Sequence, residues 1–155
     1  MLKIMITDRK GIEKIALNPF YKTALISITD YEYPFAFLEN KPQYLLRLSF
    51  DDVPVGDGFE EEYGHKLNPK QIDFLEKKFH SMSEEQAQSI VAFYNEVCKN
   101  VETIICQCEH GQSRSAALAA AFSEYTYGNG IEVFSDDRYF PNKSIYRTIF
   151  RKLNL

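Results

Sequence analysis

A chain of 155 residues with 45% hydrophobic content is long enough to bury one sizeable core and short for two, so the expectation is a single domain over residues 1–155. A formal net charge of −4 offers no basic surface for nucleic acid or anionic lipid, and neither partner is expected. No apolar run approaches the ~18 residues that span a bilayer, and MLKIMITDRKG lacks the apolar core and small-residue cleavage site of a signal peptide. Three cysteines at irregular spacing are no disulfide framework, which fits a reducing, cytoplasmic setting.

Leu2 to Thr7 reads as a first strand, and Asp8 is placed to cap a short helix from about Asp8 to Leu17, closed by Asn18-Pro19. A second strand, Thr23 to Ile28, runs into Thr29-Asp30. This β–α–β order predicts a three-layer α-β-α domain with a mainly parallel sheet. Residues 31–37 (YEYPFAF) hold four aromatics around Pro34. Core or lid packing is the first expectation for them, with a wall of a substrate cleft as the alternative.

Tyr44 to Phe50 is a third strand, and it delivers Asp51-Asp52 to its carboxyl end, the edge at which open α/β sheets bind ligands. Val53 to Leu67 (VPVGDGFEEEYGHKL) lacks a helical period. Its glycines, Gly56, Gly58 and Gly64, suggest the hinges of a lid over the site. Asn68-Pro69 opens a helix to about Phe79, and Ser83-Glu84-Glu85-Gln86 is a capping box opening another to about Lys99. Both are expected to cover the sheet. No His/Cys/Asp cluster has metal-ligand spacing, so no metal or organic cofactor is expected.

Val101 to Gln107 is a short β-branched, apolar run, the composition of a strand covered on both faces. Ser115 to Tyr127 favours helix, and Gly128 supplies a left-handed stop. Between them lies CEHGQSRS, residues 108–115, a Cys-x5-Arg spacing on a strand–loop–helix junction. Such a loop points its backbone N–H groups at one spot, with the positive end of the helix dipole behind them, which makes an anion cradle. Glu109, His110, Gly111, Gln112 and Ser113 would line it. At its centre the loop donors and the Arg114 charge favour the thiolate of Cys108. Arg114 can grip two phosphate oxygens in fork geometry, and Gly111 permits a positive φ or close ligand approach. A thiolate beneath a bound tetrahedral dianion implies in-line attack on phosphorus and a phosphocysteine intermediate. The Ser115 hydroxyl, if it reaches the sulfur, would stabilise the thiolate as it leaves.

CEHGQSRS resembles the signature loop of the cysteine-dependent protein tyrosine phosphatases, and its GxSRS ending is most similar to the compact dual-specificity-like branch and its small microbial relatives. The resemblance rests on Cys108, Gly111, Arg114 and Ser115. The family pattern has His before the nucleophile, as a structural hydrogen-bond partner, where this chain has Gln107. In low-molecular-weight phosphatases and arsenate reductases the same loop follows the first strand, whereas here it lies late. The resemblance implies hydrolysis of a phosphorylated protein or small phosphomonoester, with phosphate or sulfate able to occupy the site. It also implies an Asp that protonates the leaving oxygen and then deprotonates water. Counting from the last apolar strand position favours Asp52 over Asp51. The alternative is a phosphate- or phosphopeptide-binding pseudo-phosphatase module. A further idea is a redox sensor pairing Cys108 with Cys106 or Cys98.

The segment after Gly128 is read as a polar turn, a cap at Asn142, and a C-terminal helix with Ile145, Ile149 and Leu153 at helical spacing. Arg147, Arg151 and Lys152 are expected to complement its dipole.

Overall fold

The strands are short and rich in β-branched and leucine side chains, and alternate residues of each central strand meet a different hydrophobic layer. In the computed structural model, which describes residues 1–15 and 22–155, four strands form one parallel sheet in the order β1-β4-β2-β3. They are β1 (Lys3–Thr7), β2 (Thr23–Thr29), β3 (Tyr44–Ser49) and β4 (Thr103–Gln107). On one face Leu25 and Ile105 pack with Ile12 of α1 (Arg9–Lys14) and with Ala36. On the other, Ala24, Ile26, Ile28, Ile104 and Cys106 join the main core, built with α4 (Glu84–Val97), α5 (Arg114–Tyr127) and α7 (Lys143–Leu153). The result is a three-layer α-β-α sandwich with a parallel sheet. The expected closure of the first unit at Leu17, Asn18 and Pro19 lies outside the described residues.

Parallel pairing aligns all four carboxyl ends on one edge. The register sets Thr7 beside Gln107 and Gln107 beside Ser27. β4, the strand that leads into the Cys108 loop, is flanked on both sides.

α5 owes its position to size. Every residue from Arg114 to Phe122 is buried, and most of that stretch is alanine, so the helix sits close to the sheet without a polar face to solvate. Tyr94 of α4 stacks on Phe122 at a centroid distance of 4.1 Å. Burial pushes the Tyr94 hydroxyl up to about 12. Gly128 ends α5 with φ 70°, in the left-handed region. Side-chain caps occur at Asp8, Asn68, Ser83 and Asn142, each accepting from a backbone N–H of the first turn.

Three expectations are corrected. Val53–Leu67 is no irregular lid. It contains α2 (Gly58–Tyr63), whose Phe59 is buried, and it is stitched down along its length. Val55 N–H donates to Ser144 Oγ at 2.8 Å, and Gly56 N–H donates to Glu76 Oε2 at 2.9 Å. Gly58 lies so close to α7 that an added Cβ would fall 2.5 Å from Ser144 Cβ, which marks a packing contact rather than a hinge. Second, α3 (Pro69–Lys78) buries no residue and so does not cover the sheet as α4 does. Third, Arg147 lies ahead of the last turn of α7 and pairs with Glu61 at 2.8 Å, whereas Arg151 and Lys152 do stand in that turn, Lys152 also pairing with Glu84. A short α6 (Ile131–Phe134) precedes α7. No helix among the described residues is long and apolar enough to cross a membrane.

Candidate active site

Each strand hands its next residues to the same edge. β4 delivers Cys108, which is 2% exposed, and α5 begins six residues on at Arg114, which is 4% exposed. Ser115 Oγ lies 3.1 Å from Cys108 Sγ, and Ser115 N–H points at the same sulfur at 3.5 Å. The sulfur is thus met by both the hydroxyl and the N–H of a residue in the first turn of α5. Among the described residues, no N–H of Glu109 to Ser113 donates to a protein acceptor. Amides left over in a loop at a helix N-terminus are the elements of an anion cradle.

The loop is braced from β1. Cys108 N–H donates to Thr7 O at 3.4 Å, and Arg9 N–H donates to Glu109 O at 3.2 Å. Gly111 has φ 65°, and an added Cβ would lie 2.8 Å from Asp8 N and Thr7 C. Both the backbone angle and the neighbouring chain require glycine. Gly111→Ala is expected to cost about 1–3 kcal/mol of stability and to weaken anion binding, checked by thermal denaturation with and without phosphate.

Gln107 stands where the resembled pattern has histidine, and it does comparable mechanical work. It is fully buried, its Nε2 donates to Cys108 O at 3.1 Å, and its Oε1 accepts from Ser27 Oγ of β2. Its amide therefore ties the start of the loop to the adjacent strand. Gln107→Leu leaves a buried hydroxyl and a buried carbonyl without partners, and a loss of about 1–3 kcal/mol in urea unfolding is expected.

Arg114 is aimed by acceptors just past the ends of β3 and β2. NH1 donates to Phe50 O at 2.7 Å and to Asp30 Oδ1 at 2.8 Å, while Nε is buried with no protein partner. A buried guanidinium N–H without an acceptor is costly unless an anion meets it. Asp30 was visible in the sequence only as the end of β2, and nothing local marks it as the counter-charge of Arg114. Arg9 is a second residue the sequence reading passed over. Its guanidinium donates to Glu109 Oε2 at 2.8 Å, to Thr29 Oγ1 at 2.9 Å and to Pro34 O at 2.6 Å, joining the loop, β2 and the aromatic segment.

The two aspartates after β3 part company. Asp52 Oδ1 accepts from Ser113 Oγ at 2.8 Å and from Asn142 Nδ2 at 3.0 Å, which pins it to the rim of the loop. Asn142 Oδ1 meanwhile caps α7 at Ile145 N–H. Asp51 Oδ1 accepts from Tyr31 N–H at 2.8 Å instead. A cleft of about 470 Å³ beside Asp52 and Ser113 is bordered by Glu62, Asn142, Lys143 and Arg147.

His110 and Gln112 are exposed on the outer side of the loop. The aromatics of 31–37 are also exposed, which corrects the expectation that they are core: only Ala36 of that segment is buried. Tyr31 stacks on His80, centroids 3.7 Å apart. Cys98, Cys106 and Cys108 are free thiols. Cys106 is fully buried, and burial, with Cys108 nearby, pushes its thiol well above the ordinary range, an inert setting. Among the described residues no group of three or more His, Cys, Asp or Glu could hold a metal ion.

No protein-family model and no curated protein matches the chain. Solved structures do. The chain is similar to PTPMT1 in complex with PI(5)P, with a TM-score of 0.55 and 15% identity over 98% of this chain and 90% of that one. It is similar to human DUSP28 at 0.55 and 13%, over 99% and 96%. The human tyrosine phosphatase-like serine/threonine/tyrosine-interacting protein aligns at 0.54 and 17%, over 96% and 89%. With its parallel sheet, its three layers and its strand–loop–helix junction at Cys108, the chain has the fold of the cysteine-based tyrosine and dual-specificity phosphatases.

Proposed function

We propose that the protein is a phosphomonoester hydrolase, a protein tyrosine or dual-specificity phosphatase working through a phosphocysteine. The observation that carries this reading is the pairing of Cys108 with a buried Arg114 whose Nε has no protein acceptor, in a loop whose amides are likewise unpartnered. Cys108 thiolate attacks phosphorus in line while Arg114 and the amides of Glu109, His110, Gly111, Gln112 and Ser113 hold the equatorial oxygens. The P–O bond to the leaving group breaks, and Asp52 gives that oxygen its proton. Water then attacks the phosphocysteine, Asp52 takes the proton back, and the S–P bond breaks with Ser115 Oγ donating to the departing thiolate. Asp51 acts at a remove, by holding Tyr31.

The substrate is read as phosphotyrosine in a protein or a small aryl phosphomonoester. PTPMT1 is known in complex with PI(5)P. In this chain the variable loop positions Glu109, His110, Gln112 and Ser113 include no Lys or Arg, which disfavours headgroups bearing several phosphates. A cytoplasmic location fits this reading, because a thiol nucleophile stays reduced there.

The test is hydrolysis of p-nitrophenyl phosphate and of a phosphotyrosine peptide, with acid quenching to trap phosphate on Cys108. Turnover with a phosphorylated Cys108 is the expected result. Binding of the peptide without turnover would make the protein a phosphopeptide-recognition module instead.

A further inference from the structure

Two segments tied to the loop by their backbone hold large apolar side chains out into solvent. One carries Tyr33, 66% exposed, and Phe35, 43% exposed, whose ring lies under the Arg47 guanidinium; the other carries Phe140, 70% exposed. Isolated exposed aromatics need no explanation, but a group of them around a single site marks an interaction surface.

Their mounts are rigid and attached to the loop itself. Asp30 pairs with Arg114, Tyr31 N–H is held by Asp51, and Pro34 O accepts from Arg9, which also grips Glu109. Across the loop, Phe140 N–H donates to Gln112 O at 2.8 Å and Asn142 N–H to Ser113 O at 3.2 Å. Backbone fixed in this way makes the aromatic rim preorganised for a ligand that already has its phosphate in the cradle.

We propose that this rim recognises the residues flanking a phosphotyrosine in a protein segment, and that Tyr33, Phe35 and Phe140 select large apolar side chains within two positions of it. The inference rests on the phosphate-binding part of the reading above and names the substrate's neighbouring sequence. A peptide rather than a lipid surface is favoured by charge. An interfacial enzyme on an anionic bilayer needs a net cationic surface around its aromatics. Here Arg114 is paired to Asp30 and Arg9 to Glu109, and Asp51, Asp52 and Glu32 outnumber the remaining cations, Arg47 over the Phe35 ring and Lys143 beside Asp52. Aromatic anchors are the side chains that dominate peptide and protein recognition.

The experiment uses Cys108→Ser protein and fluorescent phosphotyrosine peptides of equal charge, flanked by Leu and Phe or by Ser, with affinity read by anisotropy. The apolar-flanked peptide should bind about tenfold tighter, the scale of one buried aromatic contact. Adding Tyr33→Ser and Phe140→Ser together should reduce that preference to under about twofold. Equal affinities, a preference that survives the double replacement, or no binding of either peptide would overturn the proposal. So would rim-dependent sedimentation with vesicles of zwitterionic lipid containing PI(5)P, at peptide affinities that ignore the flanks. Turnover of p-nitrophenyl phosphate by the unaltered protein judges the hydrolase reading separately, because that ester has no flanking residues.

Discussion

Cys108→Ser should abolish hydrolysis of p-nitrophenyl phosphate, by about 10⁴-fold or more, while phosphate and vanadate still bind. The two halves of this expectation come from different atoms. In the proposed mechanism attack and the covalent intermediate belong to one sulfur, for which a serine hydroxyl is a poor substitute without a base beside it. Binding belongs to the loop amides and the Arg114 guanidinium, which the replacement leaves in place. Steady-state kinetics together with calorimetric titration of phosphate would separate the two. Residual turnover within tenfold of the original would remove Cys108 from the role of nucleophile.

The second large effect is expected at Asp52. Asp52→Ala should lower kcat by about 10²- to 10³-fold, in the range of a lost general acid. The deficit should grow with a less acidic leaving group, such as an alkyl phosphate, because that oxygen depends more on a donated proton. Asp51→Ala should cost less than about tenfold, since its carboxylate holds the backbone of Tyr31 rather than the rim of the loop. Rate measurements on both variants decide the matter: the opposite ranking would assign the proton to Asp51.

What the sequence made legible is what short stretches of chain decide. The four strands fall within two residues of their expected bounds, because β-branched runs next to Gly, Pro and Asp turns carry their own boundaries. The caps at Asp8, Asn68, Ser83 and Asn142 are local side chain-to-backbone bonds and could be read directly. The Cys108–Ser115 contact also follows from a strand turning into a helix over eight residues.

Contacts across the sheet were a different matter. Asp30 faces Arg114, Arg9 faces Glu109, and Gln107 faces Ser27 only because β4 inserts between β1 and β2, an order that no periodicity encodes. The aromatics at 31–37 illustrate the limit of composition. Four large rings suggested burial, but the backbone is drawn toward the loop by Arg9 and Asp51, which leaves the rings outside. α2 escaped notice because its glycine and acids look solvated, whereas Phe59 is buried, Gly58 packs on Ser144 and Glu61 pairs with Arg147. α3 carries apolar residues at helical spacing and still buries none, so its pattern overstated its contact with the sheet.

The small-residue helix behind the loop has a consequence for motion. Because α5 is enclosed from its first residue, its opening turns cannot fray, the usual fate of a helix end. Slow hydrogen exchange at Ala117 to Phe122 should track unfolding of the whole molecule, while faster local opening is expected at the peripheral α3 and α6, which bury no residue. Wear from destabilising substitutions would therefore reach the helix behind the Cys108 loop only when the entire molecule gives way.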